Sequence, residues 1–427
     1  MRADFMRRRV TTAVVLLFGM AAASGGCDSA EDTGATTTRE VRGDTTIVRT
    51  AGPGPWGDAA LVEELRIGEL DGADEYTFGR IGGLAVHDDG SLYVLDAQAL
   101  EVRVYSADGV FQRRFGREGE GPGEFRRPLG VAFLPDGRLV IRDYGNGRIN
   151  VFAADGTFLD DWSIPTGFYT TSPMFVDDAG HVYVDIIADR PATGGFRTGL
   201  LHLDSSGAVV DTMRRPFADH TPPALVAENV SSSGRSVSRT SVPFWPVAVT
   251  TLNRSGEFVG GITDVYRVTT WHRNGTTLRV ERDVPRVPVD AAEAATAVEN
   301  VTRNMRSTQA DWKWDGPQPP AQKPFYKQVH VAGDGRLWVQ TSQPARRIAP
   351  EPDAEPDAEP DARGRPPLDQ WQESAVYDVF EADGSFLGSV RTPERFTLLL
   401  MRGDYVWGTT RDEYDVQYVT RYRITPS

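Results

Sequence analysis

A run of glycine-centred turns and strand-like segments occurs twice, 47 residues apart, and constrains the fold of this 427-residue chain more than any other feature. The stretch from Gly83 to Asp96, leading to Val104-Tyr-Ser-Ala-Asp-Gly109, returns as Gly130 to Asp143, leading to Val151-Phe-Ala-Ala-Asp-Gly156. Each copy reads as four short alternating strands joined by tight turns, and one copy alone could not bury its apolar face. A repeat of about 40 to 50 residues with that content specifies a β-propeller blade.

The turns count the blades. A first hairpin turn recurs at Gly90, Gly137, Gly180, Gly256, Gly335 and Gly403, each flanked by apolar or aromatic strand residues. Asp-Gly between alternating runs is a strong hairpin signal, because glycine takes positive φ without steric cost. A second turn recurs at Gly109, Gly156, Gly207, Gly275 and Gly384. Six first turns and five second turns imply six blades with one outer strand missing. Leu61-Val-Glu-Glu-Leu-Arg-Ile67 alternates as a strand and is expected to supply it, pairing after Tyr418 to Ile424. The expected fold is therefore all-β: a six-bladed β-propeller of four-stranded antiparallel blades, with the ring closed by an N-terminal strand in the last blade. The expected blades span 81–116, 128–165, 171–216, 244–286, 325–393 and 395–427 with 60–68.

Two segments resemble a known family. Phe115-Gly-Arg-Glu-Gly-Glu-Gly-Pro-Gly-Glu-Phe-Arg-Arg-Pro128 looks like the connector of NHL-repeat propellers, and Ile141 to Phe152 is similar to their Asp…Asn…Arg-Ile-x-Val-Phe core. Such connectors are common in bacterial six-bladed propeller lipoproteins, so the resemblance implies that fold and an exported lipoprotein. The equivalent residues Asp96 and Asp143 are expected to cap turns.

The N-terminus agrees with export. Arg7 to Arg9 form a positive segment, Val10 to Ala23 an apolar one too short to span a bilayer, and Ser24-Gly-Gly-Cys27 supplies small residues before the chain's single cysteine. Residues 1–26 read as a lipoprotein-type signal, with Cys27 as the lipidation site and Met6 as a possible start. Residues 27–44 read as a flexible tether and 45–427 as the propeller domain. The formal charge is −14; removing the signal, with four Arg and one Asp, takes the mature chain to −14 − 3 = −17. That excludes a nucleic-acid surface and favours solubility, with the membrane reached through the lipid only. A monomer is expected.

Insertions gather on one side. In a four-stranded blade the first and second turns share one face, while the loops between the middle strands and the connectors between blades share the other. Every long insertion falls in the second set: 186–198, 215–243, 286–324 and 342–373. Asp290-Ala-Ala-Glu293 reads as a capping box opening an inserted helix over 290–307, between blades four and five, with Ala294, Val298, Val301 and Met305 on one face. The thrice-repeated Glu-Pro-Asp-Ala tract predicts a disordered acidic loop over 344–370, and Ser231 to Ser236 reads as mobile.

No catalytic residues, metal site or cofactor are expected: the six histidines form no paired spacing, and neither a Gly-x-Ser-x-Gly elbow nor a Walker loop occurs. Cations and aromatics do converge where the inner strands begin on the loop-rich face. The expected binding set is Arg80, Arg127, Arg142, Trp245, Tyr326 and Lys327, with Trp312 and Trp314 as a roof. It suits an anionic or carbohydrate-like ligand, a small molecule, glycan or protein. The expected function is a non-catalytic binding or scaffold module in the bacterial cell envelope; the rival is a metal-dependent hydrolase or lyase acting at the axis. Replacing the lipidation site, Cys27→Ser, should leave the protein unprocessed or release it into the soluble fraction, read by membrane fractionation.

Overall fold

The computed structural model describes residues 36–164, 174–189, 197–232, 234–348 and 370–427. Cys27 and the expected signal lie outside them.

The described chain opens with β1 (Thr36–Arg42), β2 (Thr45–Ala51) and β3 (Asp58–Ile67). A first antiparallel sheet follows: β4 (Ile81–Val86), β5 (Leu92–Asp96), β6 (Glu101–Tyr105) and β7 (Phe111–Phe115). The second is β8 (Pro128–Phe133), β9 (Leu139–Asp143), β10 (Arg148–Phe152) and β11 (Phe158–Ser163). The third is β12 (Phe175–Val176), β13 (Val182–Asp189), β14 (Arg197–Leu203) and β15 (Val209–Arg214). A hairpin of β16 (Ala224–Ser231) and β17 (Gly234–Ser241) precedes the fourth: β18 (Ala248–Leu252), β19 (Phe258–Ile262), β20 (Arg267–Trp271) and β21 (Thr277–Arg282). The helix α1 (Ala291–Thr308) leads to the fifth sheet, β22 (Tyr326–Val331), β23 (Leu337–Thr341), β26 (Val376–Phe380) and β27 (Phe386–Arg391), interrupted by the hairpin β24 (Ala345–Ile348) and β25 (Gln370–Glu373). The C-terminal sheet is β28 (Phe396–Arg402), β29 (Tyr405–Arg411) and β30 (Gln417–Thr425). Its fourth strand is β3, in register Leu61 with Ile424 and Ile67 with Val419.

The burial of each strand explains its composition. The middle strands β5, β9 and β26 are buried at every position and are almost continuously apolar, whereas the outer strand β15 is largely exposed. Gly90 and Gly137 hold equivalent turns at φ +87° and +86°, a conformation a Cβ would strain. Apolar clusters then fill the seams between consecutive sheets. Tyr93 and Leu95 pack with Val131 and Ile141, Val140 with Val184 and Leu201, Tyr183 with Leu252, and Val268 with Tyr326 and Val339. Trp338 packs with Val406 and Tyr422. The last cluster joins Trp407 and Val419 to Leu84 and Val94 of the first sheet.

Three expectations are corrected. The expected tether 27–44 contains β1, which pairs with β2; β2 in turn lies parallel to β21 on the outer edge of the fourth sheet. Its run of threonines, polar in composition, has high strand propensity. The stretch read as mobile around Ser231 joins β16 to β17, paired from Ala224–Ser241 to Ser231–Gly234. The ends of the loop expected to be disordered over 344–370 pair as β24 and β25; residues 349–369 lie outside the described set.

Asp96 and Asp143 are fully buried and do cap. Asp143 accepts from the backbone N–H of Arg126 (3.0 Å) and Arg127 (2.8 Å) and from Asn146 Nδ2 (2.8 Å). Asp96 accepts from Gly79, Arg80, Gln98 and Ala99. Asp96→Ala and Asp143→Ala should each lower unfolding free energy by about 2–4 kcal/mol in urea titrations, because buried donors are left without partners. Asp155→Ala, at an exposed turn, should lose far less.

Candidate functional site

The connector resembling the NHL repeat is held by its own motif. Asn146 donates to the Gly119 carbonyl (2.9 Å), Arg148 to those of Gly121 (2.5 Å) and Glu124 (3.1 Å), and Phe125 is fully buried in the seam between the first two sheets. These residues build the platform from which β8 starts.

On that platform the expected binding residues separate into two groups. Arg80 and Arg127 are 47 residues apart and equivalent: each has its backbone N–H pinned by the capping aspartate while its side chain is exposed. Among the described residues the Arg127 guanidinium has no hydrogen bond or ion pair, and that of Arg80 reaches only the Ala97 carbonyl at 3.4 Å. Arg395 starts the inner strand of the C-terminal sheet at φ +57° and is exposed, bonded to the Asp412 carbonyl at 2.5 Å. Three consecutive sheets thus each present an arginine where the inner strand begins. Cations held on a rigid backbone with unfilled donors can bind carboxylate, sulfate or phosphate oxygens.

The others are placed elsewhere. Arg142 is 1% exposed. Burial lowers its pKa, and Asp185 and then Tyr144 counter that only in part. Asp185 also pairs with Arg215, which donates to the Thr250 hydroxyl at 3.0 Å, so this polar line ties the second, third and fourth sheets. Tyr326 is fully buried, and its hydroxyl donates to the Arg267 carbonyl at 2.8 Å. Burial pushes its phenol well above the usual range. Both were expected at the mouth, yet alternation along β9 and β22 turns them into the seams.

The tryptophans also form a core, not a roof. Trp312 packs with Leu225, Ala227, Val242 and Met305, and its Nε1 donates to the Val226 carbonyl at 2.8 Å. Trp314 meets Trp312 edge-on at 6.3 Å and donates to the Gly316 carbonyl at 2.9 Å; Trp245 packs against the same cluster. Hairpin β16–β17 and helix α1 therefore share a small core of their own. The helix begins as expected, Asp290 accepting from Ala292 N–H at 2.8 Å. Glu293, expected to close a capping box, turns away to meet Lys323.

That contact opens a network absent from the expected set. Lys323 is 1% exposed; its Nζ donates to Glu293 (2.6 Å), Glu373 (3.0 Å) and the Gln343 carbonyl (3.2 Å). Lys327, also expected as a ligand contact, pairs with the other Glu373 oxygen at 2.7 Å. Burial would raise the Glu373 pKa, but bonds from Gln343 N–H, Lys327 and Lys323 hold it below the ordinary carboxylate value. Three acceptors around one buried point suit an ammonium and not a planar guanidinium. The available signal was the rarity of lysine, three among 46 basic residues with two converging here. Among the described residues, no group of three or more His, Cys, Asp or Glu could hold a metal ion.

Comparisons agree with this architecture. Residues 61–133 match the profile of a family described as a 6-bladed beta-propeller, and residues 125–152 match the NHL repeat. No curated protein sequence matches the chain. Among solved structures, a candidate exported protein from Bacteroides fragilis is 11% identical, covering 89% of this chain and 99% of its own, with a TM-score of 0.47. A DUF4221-family protein from Bacteroides vulgatus is 10% identical, covering 87% and 100%, at 0.49. Virginiamycin B lyase from Staphylococcus aureus is 9% identical, covering 86% and 99%, at 0.39. Likenesses this low carry nothing about what the chain binds or does.

Lys323→Met strips a buried carboxylate pair of its shared cation, and should destabilise by about 3–5 kcal/mol, with protease cleavage appearing first in the 283–324 connector. In the unaltered protein the contribution of Glu373 is complete above the ordinary carboxylate value of 4.5 and fades as pH falls below it. The same cleavage should therefore appear on acidification below about that pH, and limited proteolysis across a pH series checks it.

Proposed function

We propose that the protein is an exported, lipid-anchored, closed six-bladed β-propeller that binds an anionic or acidic-carbohydrate ligand on its loop-rich face without catalysing a reaction. Closure is supported by the apolar clusters, which pass from sheet to sheet and from the last back to the first. Export and lipidation at Cys27 are supported by the charged, apolar and small-residue order of the first 27 residues.

One observation carries the binding assignment. The hairpin β16–β17, helix α1 and the hairpin β24–β25 all lie within connectors or middle-strand loops, the segments that share one face, while first and second turns remain tight. The elaborations are built structures with a core and a buried ion network, as expected of a face where loops on a rigid scaffold carry function. The arginines at the starts of β4, β8 and β28 provide the complementary charge.

Arg127→Ala should weaken binding of oligogalacturonate, used as an acidic glycan probe, by roughly 1–3 kcal/mol, the value of a hydrogen bond to a charged group. The thermal midpoint should not move, because the side chain is exposed and unpartnered among the described residues. Calorimetric titration and melting of the same variant test both halves: an early melt with unchanged binding would reassign Arg127 to structure.

A further inference from the structure

We infer that the loop-rich face is turned toward the lipid surface that holds the protein; this rests on the lipidation of Cys27 proposed above. The direction of β1 sets the geometry. Thr36 pairs with Ala51, and Thr50 lies beside Arg282, after which the chain enters the connector carrying α1. Thr36, Thr38, Arg282 and Asp283 line one cleft of about 370 Å³ at this end. The opposite end of β1, Arg42, pairs with Thr45 beside Thr277, immediately after the tight turn at Gly275. The chain therefore enters the fourth sheet at its loop-rich end.

Eight residues lie between Cys27 and Thr36, so the nine steps from one to the other reach about 30 Å when fully extended. Bringing the tight-turn face to the bilayer would require the spacer to double back along β1, whose seven residues occupy about 23 Å. Almost no length would remain. The loop-rich face needs no such reversal. The hairpin in that face suits an interface: Val230 and Val237 are 71% and 48% exposed, and the charged residues on their side of the ladder, Arg235 and Glu228, neutralise each other through two bonds of 2.6 and 2.8 Å. With a mature charge of −17 the chain is repelled by anionic headgroups, so the short spacer, not adsorption, holds the face near the lipid.

Acylation consumes the only thiol, so a single introduced cysteine can carry a donor fluorophore. Gln318→Cys marks the loop-rich face and Asp108→Cys the tight-turn face, both at exposed positions. Full-length acylated protein in phosphatidylethanolamine–phosphatidylglycerol vesicles bearing a headgroup acceptor should show several-fold more energy transfer from position 318 than from position 108. Inserting twenty Gly/Ser residues after Asp32 should erase the difference. Equal or reversed transfer from protein that floats with vesicles overturns the orientation, as does a difference that survives the lengthened spacer. Mass spectrometry of the N-terminal peptide separates the two readings: an acylated Cys27 with equal transfer removes only the orientation, whereas an unacylated Cys27 removes both.

Discussion

Everything in this fold depends on the apolar seam between neighbouring sheets. A four-stranded sheet with middle strands as apolar as Leu92-Tyr-Val-Leu95 or Leu139-Val-Ile141 has two faces to bury and only one layer of its own. Each sheet is therefore completed by the next, and burial at about 25 cal/mol per Å² drives the arrangement with no cysteine among the described residues to help. The seams also fix where polar groups can go. Arg142 and Asp185 are placed between sheets because alternation on β9 and β13 leaves them there, and Asp185 serves both Arg142 and Arg215, which follows β15.

The capping aspartates link this core to the surface. A buried carboxylate at the end of β5 or β9 gathers the N–H groups of the following loop and of the connector leading into its own inner strand. The outward arginine next to each capped N–H inherits that rigidity. Presentation of charge where β4 and β8 begin is thus a by-product of the device that closes the turn.

Much of the architecture was legible in the chain. The recurrence of hairpin glycines at Gly90, Gly137 and their counterparts revealed the sheets, and the alternation of Leu61 to Ile67 found the strand that joins β30. The site was less legible, for physical reasons. Position in a blade predicts closeness to the axis but not which side of a strand faces a seam, so Tyr326 and Arg142 were drawn to the mouth although both are buried. The two tryptophans looked like a pocket wall because no local pattern links them to Leu225 and Met305, which reach them only through the tertiary fold. Rarity could single out Lys323 but not its partners, which lie 30 and 50 residues away. Threonine-rich polarity hid β1, since composition counts polarity and ignores β-propensity.

The pairing of β3 with β30 joins residues such as Ala60 and Thr425 from opposite ends of the chain. A contact of such long sequence separation forms late, after a large loop has been closed. Until β30 is made, β3 stands unpaired on that side and the C-terminal sheet is incomplete, so the growing polypeptide carries open strand edges. Such edges are templates for pairing with other chains. The finished molecule hides a vulnerability that belongs to its biogenesis: β3, made before any of the strands it pairs with, must be shielded longest.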